Sequence, residues 1–195
     1  RKAGFRSILV GFESGSARIL QTINKRATVE DNERCLAIAK RHGLKVKALM
    51  SIGHPGESRG TVATTERWLL KMRPDDFDVS IITVYPGTEY YHDAAALGEK
   101  KWVYTSKFGD RLYQEDVDYT TVENFYKGVP DGGYQSYVST DYISSEELVL
   151  ERDRIERSVR TELNIPYNPS SASLLYEHSM GQRGFLPPSI LKKST

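Results

Sequence analysis

The sequence predicts an α/β chain built on a parallel sheet, followed by an irregular and helical C-terminal extension. Three observations lead there. Short apolar runs at Ser7–Phe12, Lys45–Ile52 and Asp78–Val84 read as strands. Helix-like segments separate them, so each strand reaches the next by a crossover, giving a β-α-β-α-β unit with parallel strands. Each run also ends in a glycine-containing polar loop: Gly11-Phe12-Glu13-Ser14-Gly15-Ser16, Ile52-Gly53-His54-Pro55-Gly56-Glu57 and Tyr85-Pro86-Gly87-Thr88. Ligands of open α/β sheets and α/β barrels sit at the carboxyl ends of parallel strands. An active site is therefore expected at these loops.

The elements follow in order. Arg1 to Phe5 reads as the tail of an element, with Gly4 suited to a helix C-terminus. Ser7 to Phe12 has the pattern of a strand buried on both faces. Ile19, Leu20 and Ile23 are spaced for a short helix over Ser16 to Asn24. Thr28-Val29-Glu30-Asp31 opens a longer one, with Thr28 as cap and Asp31 reaching back. Leu36 and Ala39 continue its stripe and Gly43 ends it. A third helix is expected from about Thr61 to Met72, stopped by Pro74. Tyr90 to Val138 shows no sustained period and reads mostly as loops with short turns. Ser144-Ser145-Glu146-Glu147 opens a helix to about Leu163. On it, Arg152 with Glu156, Asp153 with Arg157 and Glu156 with Arg160 read as solvent-face pairs. The Pro- and Ser-rich tail from Pro166 reads as a loosely ordered extension. Divided by character, the chain falls into 1–93, 94–143 and 144–195.

Composition narrows the function classes. Hydrophobic residues make up 38% of the 195, enough for a core, and the net charge is only +1. That balance argues against nucleic acid or a membrane surface as a partner held by bulk charge. No apolar run approaches the length of about 20 residues needed to span a bilayer, and no signal peptide is evident. The single cysteine, Cys35, excludes an internal disulfide framework and points to a reducing, cytoplasmic setting. The first residue is Arg1, with strand signals close behind, as expected of a piece of a longer protein.

Glu13, Ser14 and Ser16 follow the first strand, where a carboxylate and hydroxyls suit a ribose diol or an amino group. Alternatively, Glu13 pairs with a Lys or Arg of a neighbouring strand and a serine caps the helix near Ser16. Ile52 and Gly53 begin a turn whose glycines allow positive φ or close backbone approach. Glu57, near a helix N-terminus, reads as structural. His54 reads as a lone histidine, and His42, His54, His92 and His178 show no metal-ligand spacing. Val84, Tyr85 and Pro86 could lay backbone beside a flat heterocycle or form a plain loop. Tyrosines from Tyr113 to Tyr142 could line a substrate cleft or cover the barrel.

Taken together, four runs stand in a telling order: Gly-Phe-Glu-Ser-Gly-Ser, Ile-Asn-Lys-Arg-Ala-Thr-Val-Glu-Asp-Asn, Gly-Leu-Lys-Val-Lys-Ala-Leu-Met-Ser-Ile-Gly-His-Pro-Gly-Glu, and Tyr-Pro-Gly-Thr. Over about Arg1 to Asp93 the chain closely resembles the second half of the catalytic domain of radical S-adenosylmethionine (radical SAM) enzymes. The nearest likeness is to the branch that often carries a cobalamin-binding domain. The resemblance implies half of a (β/α)6 partial TIM-type barrel, its strands being the fourth to sixth. It implies S-adenosylmethionine and a 4Fe-4S cluster as cofactors of the parent enzyme, with cobalamin in that branch. Split at the reduced cluster, the sulfonium yields a 5′-deoxyadenosyl radical. By the same analogy Glu13 to Ser16 face the ribose or methionyl part, Ile52 and Gly53 lie by the adenine, and Val84, Tyr85 and Pro86 offer it backbone contacts. The family's Cys-x3-Cys-x2-Cys loop and Gly-Gly-Glu-like run are not in this sequence. The chain alone is thus expected to bind no cluster and to be inactive, and either to self-associate through an unpaired sheet edge or to cover that edge with residues after Glu89. Methyl transfer, ring formation and oxidation are all compatible, and the substrate is not specified. Two other readings are a phospho-ligand domain, disfavoured by the lack of a Gly-x-Gly-x-x-Gly or Walker-type run, and a non-catalytic interaction module.

Overall fold

The computed structural model describes residues 2–117 and 130–167. Strands β1 (Ser7–Glu13), β2 (Lys45–Ile52) and β3 (Asp76–Ile81) form a parallel sheet in the order of the chain. Helices α1 (Ala17–Thr22) and α2 (Val29–Arg41) make the first crossover and α3 (Arg59–Met72) the second. The Thr28–Asp31 capping box opens α2 as expected. A second one, between Ser58 and Thr61, starts α3 two residues before the expected Thr61.

Two strand expectations are corrected. β3 begins at Asp76, where Lys47 Nζ lies 3.0 Å from the carboxylates of both Asp76 and Asp78. It stops at Ile81, short of Val84, because its partner β2 ends at Ile52, whose carbonyl accepts the Ile82 N–H at 3.0 Å. β1 is not buried on both faces: Leu9 is 64% exposed. Burial instead alternates along β2 and β3, a one-sided pattern. The buried side carries Val46, Ala48, Met50, Ile52, Phe77, Val79 and Ile81, in one core with Leu36, Val62 and Leu69 of the helices.

The segment expected to be mostly loops holds a second sheet. After a short α4 (Glu89–His92), strands β4 (Ala95–Gly98), β5 (Lys101–Thr105), β6 (Arg111–Glu115) and β7 (Val138–Thr140) pair antiparallel in chain order. Each has five residues or fewer, too short for a sustained period to show. Trp102-Val103-Tyr104 against Leu112-Tyr113-Gln114, with Gly109 at φ +85° in the turn between, is nevertheless a hairpin signal. The described tyrosines do not gather in one cleft: Tyr113 bonds Asp141, while Tyr134 reaches β3. Tyr119, Tyr126 and the tail beyond Tyr167 lie outside the described residues.

Helix α5 (Ser145–Leu163) opens on the expected Ser144–Glu147 box. Its charged pairs do not lie on a solvent face, which corrects the sequence reading. Arg152, Asp153, Glu156 and Arg160 are all buried. They lie along the outer edge of β3 and take the place of a fourth strand. Glu156 accepts the Val79 N–H at 2.8 Å, Arg152 donates to Val79 O at 3.1 Å, and Arg160 donates to Phe77 O at 2.6 Å. Tyr134 accepts from the Ile81 N–H at 3.1 Å. Arg157 pairs with Asp131 rather than with Asp153. Among the described residues, no helix is long and apolar enough to cross a membrane.

Candidate functional site

At the carboxyl end of β1 the ladder slips. The register with β2 jumps between Gly11 and Glu13, and Glu13 has φ +64°, a left-handed value that non-glycine residues seldom adopt. The Ser14 N–H bonds back to Phe12 O at 2.8 Å. This turn folds the Glu13 carboxylate over Gly11, where a Cβ would come 2.5 Å from Oε1. A side chain at position 11 would push the Glu13 carboxylate out of this place.

Both Glu13 oxygens have partners. Lys25 Nζ donates to Oε1 at 2.9 Å, and Ser51 Oγ donates to Oε2 at 2.9 Å. The expected alternative of an ion pair is therefore present, but its lysine comes from the segment after α1 rather than from a neighbouring strand. Ser51 Oγ also lies 2.8 Å from His54 Nε2. The hydroxyl's one proton goes to Glu13, so His54 must donate Nε2–H to Ser51. His54 Nδ1 is then a bare acceptor, and it is buried with no partner among the described residues. Burial pushes the His54 pKa down to about 4, against the pull of the Glu13 carboxylate, so the ring is neutral near pH 7.

Other expected site residues are placed differently. Ser14 Oγ lies 3.1 Å from Thr65 Oγ1 of α3 and accepts the Ser16 N–H at 3.0 Å, so it is engaged in holding the loop. Ser16 stands at the cap of α1 without a side-chain hydrogen bond to the helix. Ile52 is fully buried in the core. Gly53, φ +91°, is enclosed by the protein itself: a Cβ there would meet Val138, Ile81 and Leu148 at 3.1–3.4 Å. Val84, Tyr85 and Pro86 fall in the loop after β3, with Val84 buried and Tyr85 exposed. Glu57 is structural, as expected. It is buried, accepts from the Gly53 N–H at 3.2 Å and from Thr61 Oγ1 at 2.6 Å, and burial raises its pKa to about 7.

A cleft of about 600 Å³ opens beside His54 of the loop after β2, built from the end of α1 and the residues that follow it, α4 with its flanks, and the end of β5. His54, Tyr90, Tyr104, Glu89, Asp93 and Asn24 help to line it. The sequence reading missed Ser51 and Lys25. Ser51 alternates with buried Met50 and Ile52 on β2, which puts it on the Glu13 side of the sheet, and that periodicity was the available signal. For Lys25 only its place in the second quoted run marked it. Among the described residues, no group of three or more His, Cys, Asp or Glu could hold a metal ion. Cys35, half-buried on α2, is the only thiol.

Comparison with known proteins agrees with the first part of this unit. The model of the Radical SAM superfamily matches residues 1–69. This corrects the expectation of a C-terminal half of the barrel. The match occupies the N-terminal portion of the chain and ends inside α3, so nothing in it numbers the strands as the fourth to sixth. Among curated proteins, an uncharacterized methyltransferase of Pyrococcus horikoshii is 33% identical over 96 residues, which is 49% of this chain and 21% of that protein. An anaerobic magnesium-protoporphyrin IX monomethyl ester cyclase of Rubrivivax gelatinosus is 27% identical over 53% of this chain and 18% of its own length. The hopanoid C-3 methylase of Methylococcus capsulatus is 30% identical over 47% and 18%. The chain therefore spans about a fifth of the length of these relatives. A solved radical S-adenosylmethionine methyltransferase from Kitasatospora setae, with cobalamin and a 4Fe-4S cluster bound, aligns over 51% of this chain and 22% of its own. At 22% identity and a TM-score of 0.43, the likeness is too low to carry an argument.

Proposed function

We propose that this chain is part of a radical S-adenosylmethionine enzyme and that its carboxyl-edge loops position the cofactor. The observation that carries the reading is a coincidence of place. The family match over residues 1–69 contains the whole Glu13–Lys25–Ser51–His54 network, at the strand ends where this architecture presents ligand groups. Backbone strain at Glu13 adds support, because strained left-handed residues at strand ends cluster at ligand sites.

The residues present do not fit the cluster. A lone thiol on α2 cannot supply three thiolates, so the cluster would be held by residues outside this sequence. They do fit part of the organic cofactor. Glu13 offers carboxylate oxygens to a hydroxyl or ammonium group, and Lys25 and Ser51 hold that carboxylate in place. Val84, Tyr85 and Pro86 offer backbone to the adenine. Ser14 and Ser16 shape the loop, and Ile52 and Gly53 set the floor on which His54 stands. In this enzyme class the cofactor supplies the reactive radical, while the protein contributes orientation and exclusion of water. Methyl transfer is the reaction we favour, because two of the relatives above are named a methyltransferase and a methylase.

The test is calorimetric titration of S-adenosylmethionine into the cluster-loaded enzyme that contains this sequence. Losing one charge-assisted hydrogen bond costs about 1.5–3 kcal/mol, so Glu13→Gln is expected to weaken binding roughly ten- to a hundred-fold. Unchanged affinity with a clear fall in melting temperature would make Glu13 purely structural.

A further inference from the structure

We infer that the cleft at the carboxyl edge binds a small organic cation with a flat body, an amine whose N–H groups reach His54 and the carboxylates of Glu89 and Asp93. Three independent observations lead to this chemistry. The first is the polarity of the unpartnered atom. His54 is 7% exposed, lines the cleft, and has its Nε2–H committed to Ser51. Its Nδ1 can therefore only accept, and a buried acceptor without a partner costs stability unless a ligand donates to it. An anion or an aprotic group offers it nothing.

The second observation is charge. Two carboxylates, Glu89 and Asp93, line the cleft against one ammonium, Lys107, and His54 adds no positive charge because its ring is neutral. The third is shape. Tyr90 and Tyr104 stand with ring centroids 4.7 Å apart, and His54 lies edge-on to Tyr90 at 6.5 Å. Aromatic faces beside carboxylates attract organic cations and the flat groups attached to them. Tyr104 Oη donates to Glu89 Oε1 at 2.7 Å, which holds one carboxylate beside the rings. The inference deepens the proposed function by naming the ligand chemistry at the same edge. It stands without the cofactor, however, because every group it uses belongs to the cleft.

Tyramine is the probe, added to the full 195-residue chain labelled with nitrogen-15, with the His54 ring nitrogens followed by two-bond correlation spectra. The expected result is a saturable shift of Nδ1 in the millimolar range or tighter, weakened at least several-fold by Glu89→Gln and by Asp93→Asn. Asp93 is exposed, so its variant leaves the fold intact even if the Glu89 variant does not. The propionate analogue, 3-(4-hydroxyphenyl)propionate, has the same ring with the opposite charge and should not bind. Equal binding of the propionate, absence of any His54 shift, or unchanged affinity in Asp93→Asn would overturn the inference. S-adenosylmethionine, itself a sulfonium and an ammonium, then identifies the source of the cation. Displacement of tyramine assigns the site to the cofactor's own charge, and simultaneous binding assigns it to an amine substrate.

Discussion

Glu13 has a strained backbone and a carboxylate with two partners, and the two features explain each other. The left-handed turn costs of order 1–3 kcal/mol, and Lys25 and Ser51 hold the side chain where that turn aims it. Residue chemistry at this edge was partly legible in the sequence: a Glu after a strand is visible, whereas Ser51 becomes its partner only through the β1–β2 register, and His54 joins the network only through Ser51. Two buried groups nearby predict an unusual acid response. Burial lowers His54 from 6.5 to about 4, so its contribution is present above pH 6.5 and lost as pH falls toward 4. Glu57 is raised from 4.5 to about 7, so its contribution is full below 4.5 and lost as pH rises toward 7. Between 4.5 and 6.5 the two slopes oppose each other. Glu57→Gln is thus expected to make the melting temperature fall as pH drops from 7 to 5, while these two groups together leave the wild type nearly flat. Parallel curves from calorimetric scans across that range would refute the pairing.

At the scale of elements, the parallel unit was readable because capping boxes and apolar spacing are local. Thr28 with Asp31 and Ser144 with Glu147 both formed as read. The antiparallel sheet was missed because its strands are short, and α5 was misjudged because helical spacing alone does not tell which face meets protein. Arg152, Glu156 and Arg160 read as a solvated charge ladder, yet they serve as hydrogen-bonding partners for the edge of β3. That role changes the energetics. Exposed i,i+4 pairs contribute about 0.2–0.5 kcal/mol, whereas removing one partner of a buried pair costs about 3–5 kcal/mol. Glu156→Ala should therefore lower the melting temperature by about 10 °C, from roughly 2–4 °C per kcal/mol in a chain of this size. It removes the shortest carboxylate contact of Arg160, which keeps only Asp76 at 3.2 Å and Asp78 at 3.7 Å, and it leaves the Val79 N–H unsatisfied. Replacing Glu156 and Arg160 together with Met should recover part of the loss. A single variant within a degree or two of wild type would show that α5 only rests against the sheet.

For the whole molecule, the two edges of the parallel sheet are unequal. Side chains of α5 cover β3, while no described strand pairs with the outer edge of β1, where Leu9 and nearby Phe5 are exposed. A largely apolar groove of about 830 Å³, lined by Ile8, Cys35, Ile38 and Leu44, runs beside that edge and away from the site chemistry. Open edges with apolar flanks invite pairing with another strand. Self-association of this chain is expected in sedimentation velocity, reduced by Leu9→Lys; a monomer at all concentrations, in both proteins, would count against it. The carboxyl-edge loops and the cleft are remote from that contact, so the account of the site does not depend on it. We propose above all that the carboxyl edge presents Glu13 to S-adenosylmethionine. The most direct test is the structure of the enzyme containing this sequence with S-adenosylmethionine bound. A ribose hydroxyl or the methionyl ammonium should lie about 3 Å from a Glu13 carboxylate oxygen, with Lys25 and Ser51 still in place. A bound cofactor that leaves Glu13 contacting only Lys25 and Ser51 would contradict the account.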